Sequence, residues 1–318
     1  WSLFCVGNEL TSLDVSNNTG LGYLSCGSNE LTSLDVSNNT ALTSLNCNSN
    51  QLTYLNMRNG ITDGLTAFNA TNNDSLECIE TLDPDYATAN WTNANGNIDG
   101  GVTFAVNCTP GYTYVPDDNF EQALIELGFD DTLDNFVATD SINSVTTINV
   151  NGDSINDLTG IEDFTALTQL WCQSNQLTSL DVSSNTALTT LFCSNNALTA
   201  LDISSNTALI NFDCGYNSLT SLDVSSNTAL TGLGCYSNEL TSLDVSNNTA
   251  LIALQLQNNL LTSLDISSNI ALDHLTVQNN QLTSLDVSNN TALTTLNCSS
   301  NQLTSLDVSN NTALNDLH

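Results

Sequence analysis

From Leu167 to Ala313 the apolar positions recur with one 21-residue period, repeated seven times without insertion or deletion. Each copy divides into a ten-residue half, such as LTTLNCSSNQ at 293–302, and an eleven-residue half, such as LTSLDVSNNTA at 303–313. Positions 1, 4 and 6 of the ten-residue half are apolar. That alternation predicts a short strand with Leu and Cys turned inward and positions 3 and 5 turned to solvent. A strict period near twenty residues makes each copy one coil of a solenoid, buried only by its neighbours. The predicted architecture is a solenoid with a parallel β-sheet on one face and irregular or extended segments on the other.

Outside this block the pattern changes in a definite order. Residues 1–75 read as the C-terminal part of a first repeat block, with the register loosening after Leu52. Residues 76–109, with Trp91, Phe104 and several glycines between Cys78 and Cys108, lie where an open end needs a closing cap. Thr109 to Val115, with Pro110 and Gly111, reads as a short linker. Residues 110–166 form a helical opening cap, and 167–318 the second block. The one convincing helix starts after Pro116, with Asp117 as its cap, Phe120, Leu124 and Leu127 on one face, and Gly128 as its stop. Trp1 and His318 both fall inside a coil, so the chain reads as a piece of a longer protein.

Two asparagine columns are structural in this reading: position 9, from Asn175 to Asn301, and its counterpart from Asn185 to Asn311. An inward amide satisfies backbone groups that a narrow core leaves over. The phrase L-x-x-L-x-C-x-x-N-x-L resembles the leucine-rich repeat family, and the nested ten-plus-eleven form resembles its bacterial IRREKO subclass. The opening cap, Tyr114 to Leu124 followed by Leu158-Thr159-Gly160-Ile161-Glu162, is similar to the start of secreted leucine-rich repeat proteins of marine Bacteroidetes. Leu76 to Ile79, Asn90-Trp91-Thr92 and Cys108 are similar to their closing cap. The resemblance implies export, with a sorting domain beyond residue 318, a surface or secreted location and no particular ligand. In an exported protein Cys78 and Cys108 would pair, which is worth roughly 3–4 kcal/mol in the chain-entropy picture.

Composition narrows the partners. Arg58 is the only Lys or Arg against 34 Asp and Glu, a net charge of −33. Nucleic acid and anionic membrane surfaces therefore have no electrostatic attraction to this chain. No apolar run is long enough to insert into a membrane. Eight cysteines occupy position 6, but Leu256 and Val277 fill the same column, so the thiols read as small buried apolar groups. Two histidines, without a Cys or Ser constellation or a nucleotide or metalloprotease motif, argue against an enzyme.

Candidate sites follow from variation between coils. The eleven-residue halves barely change, whereas the outward positions of the ten-residue halves do: Gln169, Trp171, Phe192, Asn211, Asp213, Tyr216, Tyr236, Gln255 and His274. Exposed aromatics among polar neighbours suit recognition of a protein or glycan on a surface. The Asp column Asp181, Asp202, Asp223, Asp244, Asp265, Asp286, Asp307 has two readings, a row of weak Ca²⁺ sites or local backbone capping. The second is preferred, and no cofactor is expected. The regular Thr face from Thr178 to Thr304 admits ice binding, and tandem solenoids admit a stalk or filament with self-association. Ser75, Thr132, Ser141 and Ser154 sit in Asp-Ser/Thr-apolar triplets similar to the Bacteroidetes O-glycosylation motif.

Overall fold

The computed structural model describes every residue but Pro110, so the part of the linker expectation that falls on Pro110 lies outside the described residues. The chain divides into two units, Trp1–Pro110 and Gly111–His318.

The shorter unit has strands on two sides. The ten-residue halves give β1 (Ser2–Phe4), β2 (Tyr23–Ser25), β4 (Ser44–Asn46) and β6 (Ala67–Asn69), a parallel sheet in that order. The opposite side gives β3 (Ser33–Asp35), β5 (Tyr54–Asn56), β7 (Cys78–Glu80) and β8 (Thr103–Ala105), also parallel. The sequence predicts irregular chain on that side, and charge explains the difference. Asp35 faces Asn56, whose Nδ2 donates to Asp35 Oδ2 at 3.3 Å, and Asn56 faces Glu80. Asp14 has only Asp35 as its neighbour, no strand forms at Asp14, and a furrow lined by Leu13, Asp14 and Asp35 lies there. Like charges directly opposite one another disfavour a ladder, and replacing one by an amide allows it.

The closing cap extends the second sheet and adds α1 (Pro84–Asn90). Its signals stand in the sequence: Asp83 caps it by accepting the Tyr86 N–H at 2.9 Å, and Pro84 stands in its first turn. Trp91 is buried against Phe68 and Phe104, and Cys78 and Cys108 form a disulfide. Arg58 pairs with Glu80 at 3.1 Å and donates to the Val106 carbonyl at 3.2 Å, while Glu80 also accepts from Tyr54 Oη and the Cys108 N–H. The only Lys or Arg of the protein is thus spent on cap residues.

The longer unit opens with an antiparallel pair, β9 (Tyr112–Tyr114) and β10 (Phe136–Ala138), and with α2 (Asp118–Glu126). Asp117 caps α2 by accepting from the Asn119 and Phe120 N–H groups. Its other carboxylate oxygen takes the N–H groups of Asn156 and Asp157, which ties the helix to the first coil. Phe120, Ala123 and Leu124 are buried, but Leu127 is 43% exposed and does not share their face. The helix ends at Glu126, and Gly128 (φ 81°) turns the chain away before Leu127 can reach the core. A four-residue helix, α3 (Thr139–Ile142), leads on to the sheet.

Nine parallel strands then follow in sequence order: β11 (Thr147–Asn149), β12 (Gln169–Trp171), β13 (Thr190–Phe192), β14 (Asn211–Asp213), β15 (Gly232–Gly234), β16 (Ala253–Gln255), β17 (His274–Thr276), β18 (Thr295–Asn297) and β19 (Asp316–Leu317). The core is a column of Leu at positions 1 and 4 with Cys172, Cys193, Cys214, Cys235, Leu256 and Val277 at position 6, all buried. The four thiols are free, and burial pushes that of Cys172 up to about 12, so this column packs as apolar side chains. Position 8 turns the chain in the left-handed region in every coil, from Ser174 (φ 58°) to Ser300 (φ 53°). The next residue clamps that turn. Asn196 Nδ2 donates to the carbonyls of Cys172 and Cys193, both at 3.0 Å, and its Oδ1 accepts the Leu177 N–H. Asn206 in the other column donates to the Val182 and Asn185 carbonyls, and its buried Oδ1 has no hydrogen-bond partner among the described residues.

Candidate recognition face of the longer unit

Strand register decides which side chains meet. Gln169, Thr190, Asn211, Gly232, Ala253 and His274 stand beside one another in one outward column. Trp171, Phe192, Asp213, Gly234, Gln255 and Thr276 form the second. Of the residues expected to form the site, Phe192, Asn211, Asp213 and Gln255 line one hollow of 210 Å³, together with Gly232, Gly234 and Ala253. Tyr236 borders it. Trp171 and Gln169 stand one strand before Phe192, half-buried, and His274 stands one strand beyond Ala253. His274 is exposed, with Nδ1 3.1 Å from Asp273 Oδ2.

Asp213 is the electrostatic centre of the hollow. Its Oδ1 accepts the Gly215 N–H at 2.9 Å and its Oδ2 accepts the Tyr236 hydroxyl at 3.2 Å. Burial pushes the carboxyl above its ordinary range, against the pull of the bonds from Gly215, Tyr236 and Ser194. Burial, then the neighbouring carboxylate, pushes the Tyr236 phenol up to about 12, so the hydroxyl keeps its proton and donates. Tyr216 packs edge-on against Tyr236, ring centroids 5.4 Å apart, and is 58% exposed.

Three glycines make this arrangement possible, and sequence reasoning missed them. They are the only glycines in residues 167–318, and all three fall at outward positions of two adjacent coils. A Cβ on Gly215 would sit 2.5 Å from Cζ of Tyr236, so only glycine lets that ring lie down. A Cβ on Gly234 would sit 3.1 Å from Asp213 Oδ1 and crowd the carboxylate. Tyr216 carries a second signal. It occupies the left-handed turn position (φ 50°) that Ser or Asn fills in every other coil of 167–313. A bulky side chain there costs about 1 kcal/mol or more, and such strain concentrates at functional positions.

The other candidate residues are placed apart from this hollow. Each column Asp accepts at Oδ1 the N–H of the Ser two residues on, as Asp223 does from Ser225 at 2.8 Å. The Ser225 hydroxyl and N–H hold the Asp223 carboxyl below the usual range. Among the described residues no group of three or more His, Cys, Asp or Glu is placed to hold a metal ion. Furrows separate the Asp-bearing segments, as between Asp265 and Asp286. Ser75, Thr132, Ser141 and Ser154 are all exposed, outside the regular coils. No helix among the described residues is long and apolar enough to cross a membrane.

Comparison with known proteins agrees with the architecture. No family model matches the chain. Internalin J of Listeria monocytogenes is 37% identical over 75 residues, covering 23% of this chain and 8% of that protein. The functional domain of InlJ from Listeria monocytogenes, which includes a cysteine ladder, is 35% identical with a TM-score of 0.44, over 65% of this chain and 56% of that one. A leucine-rich repeat protein of Leptospira interrogans aligns with 96% of this chain and 74% of its own, at 21% identity and a TM-score of 0.54. The chain has the leucine-rich repeat solenoid fold.

Proposed function

We propose that the chain is a binding module of an exported or surface protein, recognising a protein partner through the sheet face of its longer unit. The observation that carries the reading is the contrast between the two sides of the coil. The eleven-residue side repeats almost unchanged, while the sheet side gathers its departures on two adjacent coils, with Gly232, Gly234 and a half-buried Asp213 lining one hollow and Gly215 and a strained Tyr216 next to Asp213 in the chain. A scaffold needs none of these substitutions, since Thr, Ser or Asn serves at the same positions in other coils. Recognition surfaces are enriched in aromatic side chains with polar neighbours, which is the composition around Trp171, Phe192, Tyr216 and Tyr236.

The test is an array of surface proteins and glycans probed with the chain and with two variants. Binding that is lost with Trp171→Ala and Phe192→Ala together, and kept with Thr220→Ala and Thr241→Ala on the opposite side, supports the sheet face. The reverse pattern rejects it. Features bound only on the glycan array would replace a protein partner by a carbohydrate one.

A further inference from the structure

We propose that the hollow beside Asp213 seats a basic side chain, arginine or lysine, presented by the partner. The inference rests on the sheet face being the recognition surface and names what that surface grips. The hollow measures 210 Å³, below the ~300–1,000 Å³ usual for small-molecule sites. It holds the end of one side chain on a floor of Gly232, Gly234 and Ala253. One wall is the Asp213 carboxylate, whose Oδ1 accepts the Gly215 N–H and whose Oδ2 accepts the Tyr236 hydroxyl, with the Ser194 side chain as a third partner among about four acceptor positions. The remaining position suits a charge-assisted bond from a guanidinium or ammonium group.

Residues 111–318 contain no Lys or Arg to supply that charge. Arg58, the only Lys or Arg, belongs to the other unit and is bound to Glu80 there. A carboxylate kept half-buried without a cation is under-stabilised, and a cation brought by a partner relieves it. Tyr236 sets an aromatic ring beside the carboxylate, with Tyr216 packed edge-on against it, and aromatic rings favour a nearby cation. The net charge of −33 draws basic partners in from a distance and repels acidic ones. Gly215 then lets the Tyr236 ring lie beside the carboxylate, and Tyr216 braces that ring edge-on.

The probe is arginine amide, titrated into the full chain carrying carbon-13 in its tyrosine rings, with citrulline amide as the uncharged match. Arginine amide should shift the Tyr216 and Tyr236 signals saturably, and citrulline amide should bind at least about tenfold more weakly. Asp213→Asn should lose the response, and so should Ala253→Leu, which fills the floor and keeps the carboxylate. Asp223→Asn, on an exposed carboxylate of the other side, should leave it unchanged. An equal response to citrulline amide, or an equal loss with Asp223→Asn, overturns the anchor by showing packing or bulk charge alone. The melting temperature of each variant confirms that it is folded.

Failure of the anchor is separated from failure of the face by selecting a random-peptide display library on the chain. Peptides enriched in Arg or Lys that lose binding with Asp213→Asn support the anchor. Peptides lost with Trp171→Ala and Phe192→Ala but indifferent to Asp213→Asn keep the face and reject the anchor. Peptides indifferent to both reject the face.

Discussion

Replacing Arg58 by methionine keeps most of the side-chain volume and removes the one Lys or Arg, which reaches from the repeat block to Glu80 and Val106 of the closing cap. Glu80, 1% exposed at its side chain, would keep the bonds from Tyr54 Oη (2.9 Å) and the Cys108 N–H (3.1 Å) but lose its counter-ion at 3.1 Å. The Val106 carbonyl would lose its donor as well. Removing one partner of a buried pair costs about 3–5 kcal/mol, because the other charge stays buried and uncompensated. Coils are coupled mainly to their neighbours, so the loss should fall on the cap and the last coils of the shorter unit. Denaturant unfolding followed by hydrogen exchange at 54–58 and 78–106 would read it, with the amides of 167–313 as an internal control. The double variant Arg58→Met with Glu80→Gln leaves no bare charge and should recover most of the loss. A single-variant cost below about 1 kcal/mol, the worth of an exposed pair, would refute the reasoning. So would a double variant no more stable than the single one.

Asp213→Asn should raise the melting temperature at neutral pH, since the carboxyl is held above its ordinary pKa and its charged form opposes folding. That gain should vanish as pH falls through the folded pKa towards the unfolded value near ~3.9, and a gain independent of pH would contradict the assignment. Asn196→Ala should cost about 2–4 kcal/mol, because it strips two carbonyls of a donor and orphans the Leu177 N–H. A loss within measurement error in a melting curve would show that water replaces the amide. Cys214→Val should change stability by less than about 1.5 kcal/mol, since Val277 already packs in that column, and a larger loss would give the thiol another role. Calorimetric titration of Ca²⁺ should give no saturable heat, the column carboxylates being occupied by the Ser N–H groups; saturable binding with a rise in melting temperature would make the column an ion ladder.

Much of this protein is written in its period. An apolar residue at 1, 4 and 6 and an amide at 9, repeated every 21 residues, leave a coil no other partner than its own copies. The strand register, the inward cysteines and the Asn clamps follow from that repetition, because each is a local pattern multiplied. The outward positions of the sheet were legible too, as the places where the copies disagree. The sequence also held the three glycines and the tyrosine at a turn position meant for Ser or Asn, but as isolated letters. Gly215 and Tyr236 are a coil apart in the chain, and only stacking brings a ring over a missing Cβ.

The tertiary structure decided what depends on neighbours across coils. Asp35 facing Asn56 forms a ladder, whereas Asp14 facing Asp35 forms none, although one phrase, LTSLDVSNNT, surrounds both aspartates. Leu127 kept the helical spacing of Phe120 and Leu124, yet the chain turns at Gly128 and leaves it in solvent. Asp213 reads in the sequence as one more carboxylate in a chain of 34 Asp and Glu. Its burial beside a tyrosine hydroxyl is a fact of packing between adjacent coils, and packing is what sets this carboxylate apart from the rest.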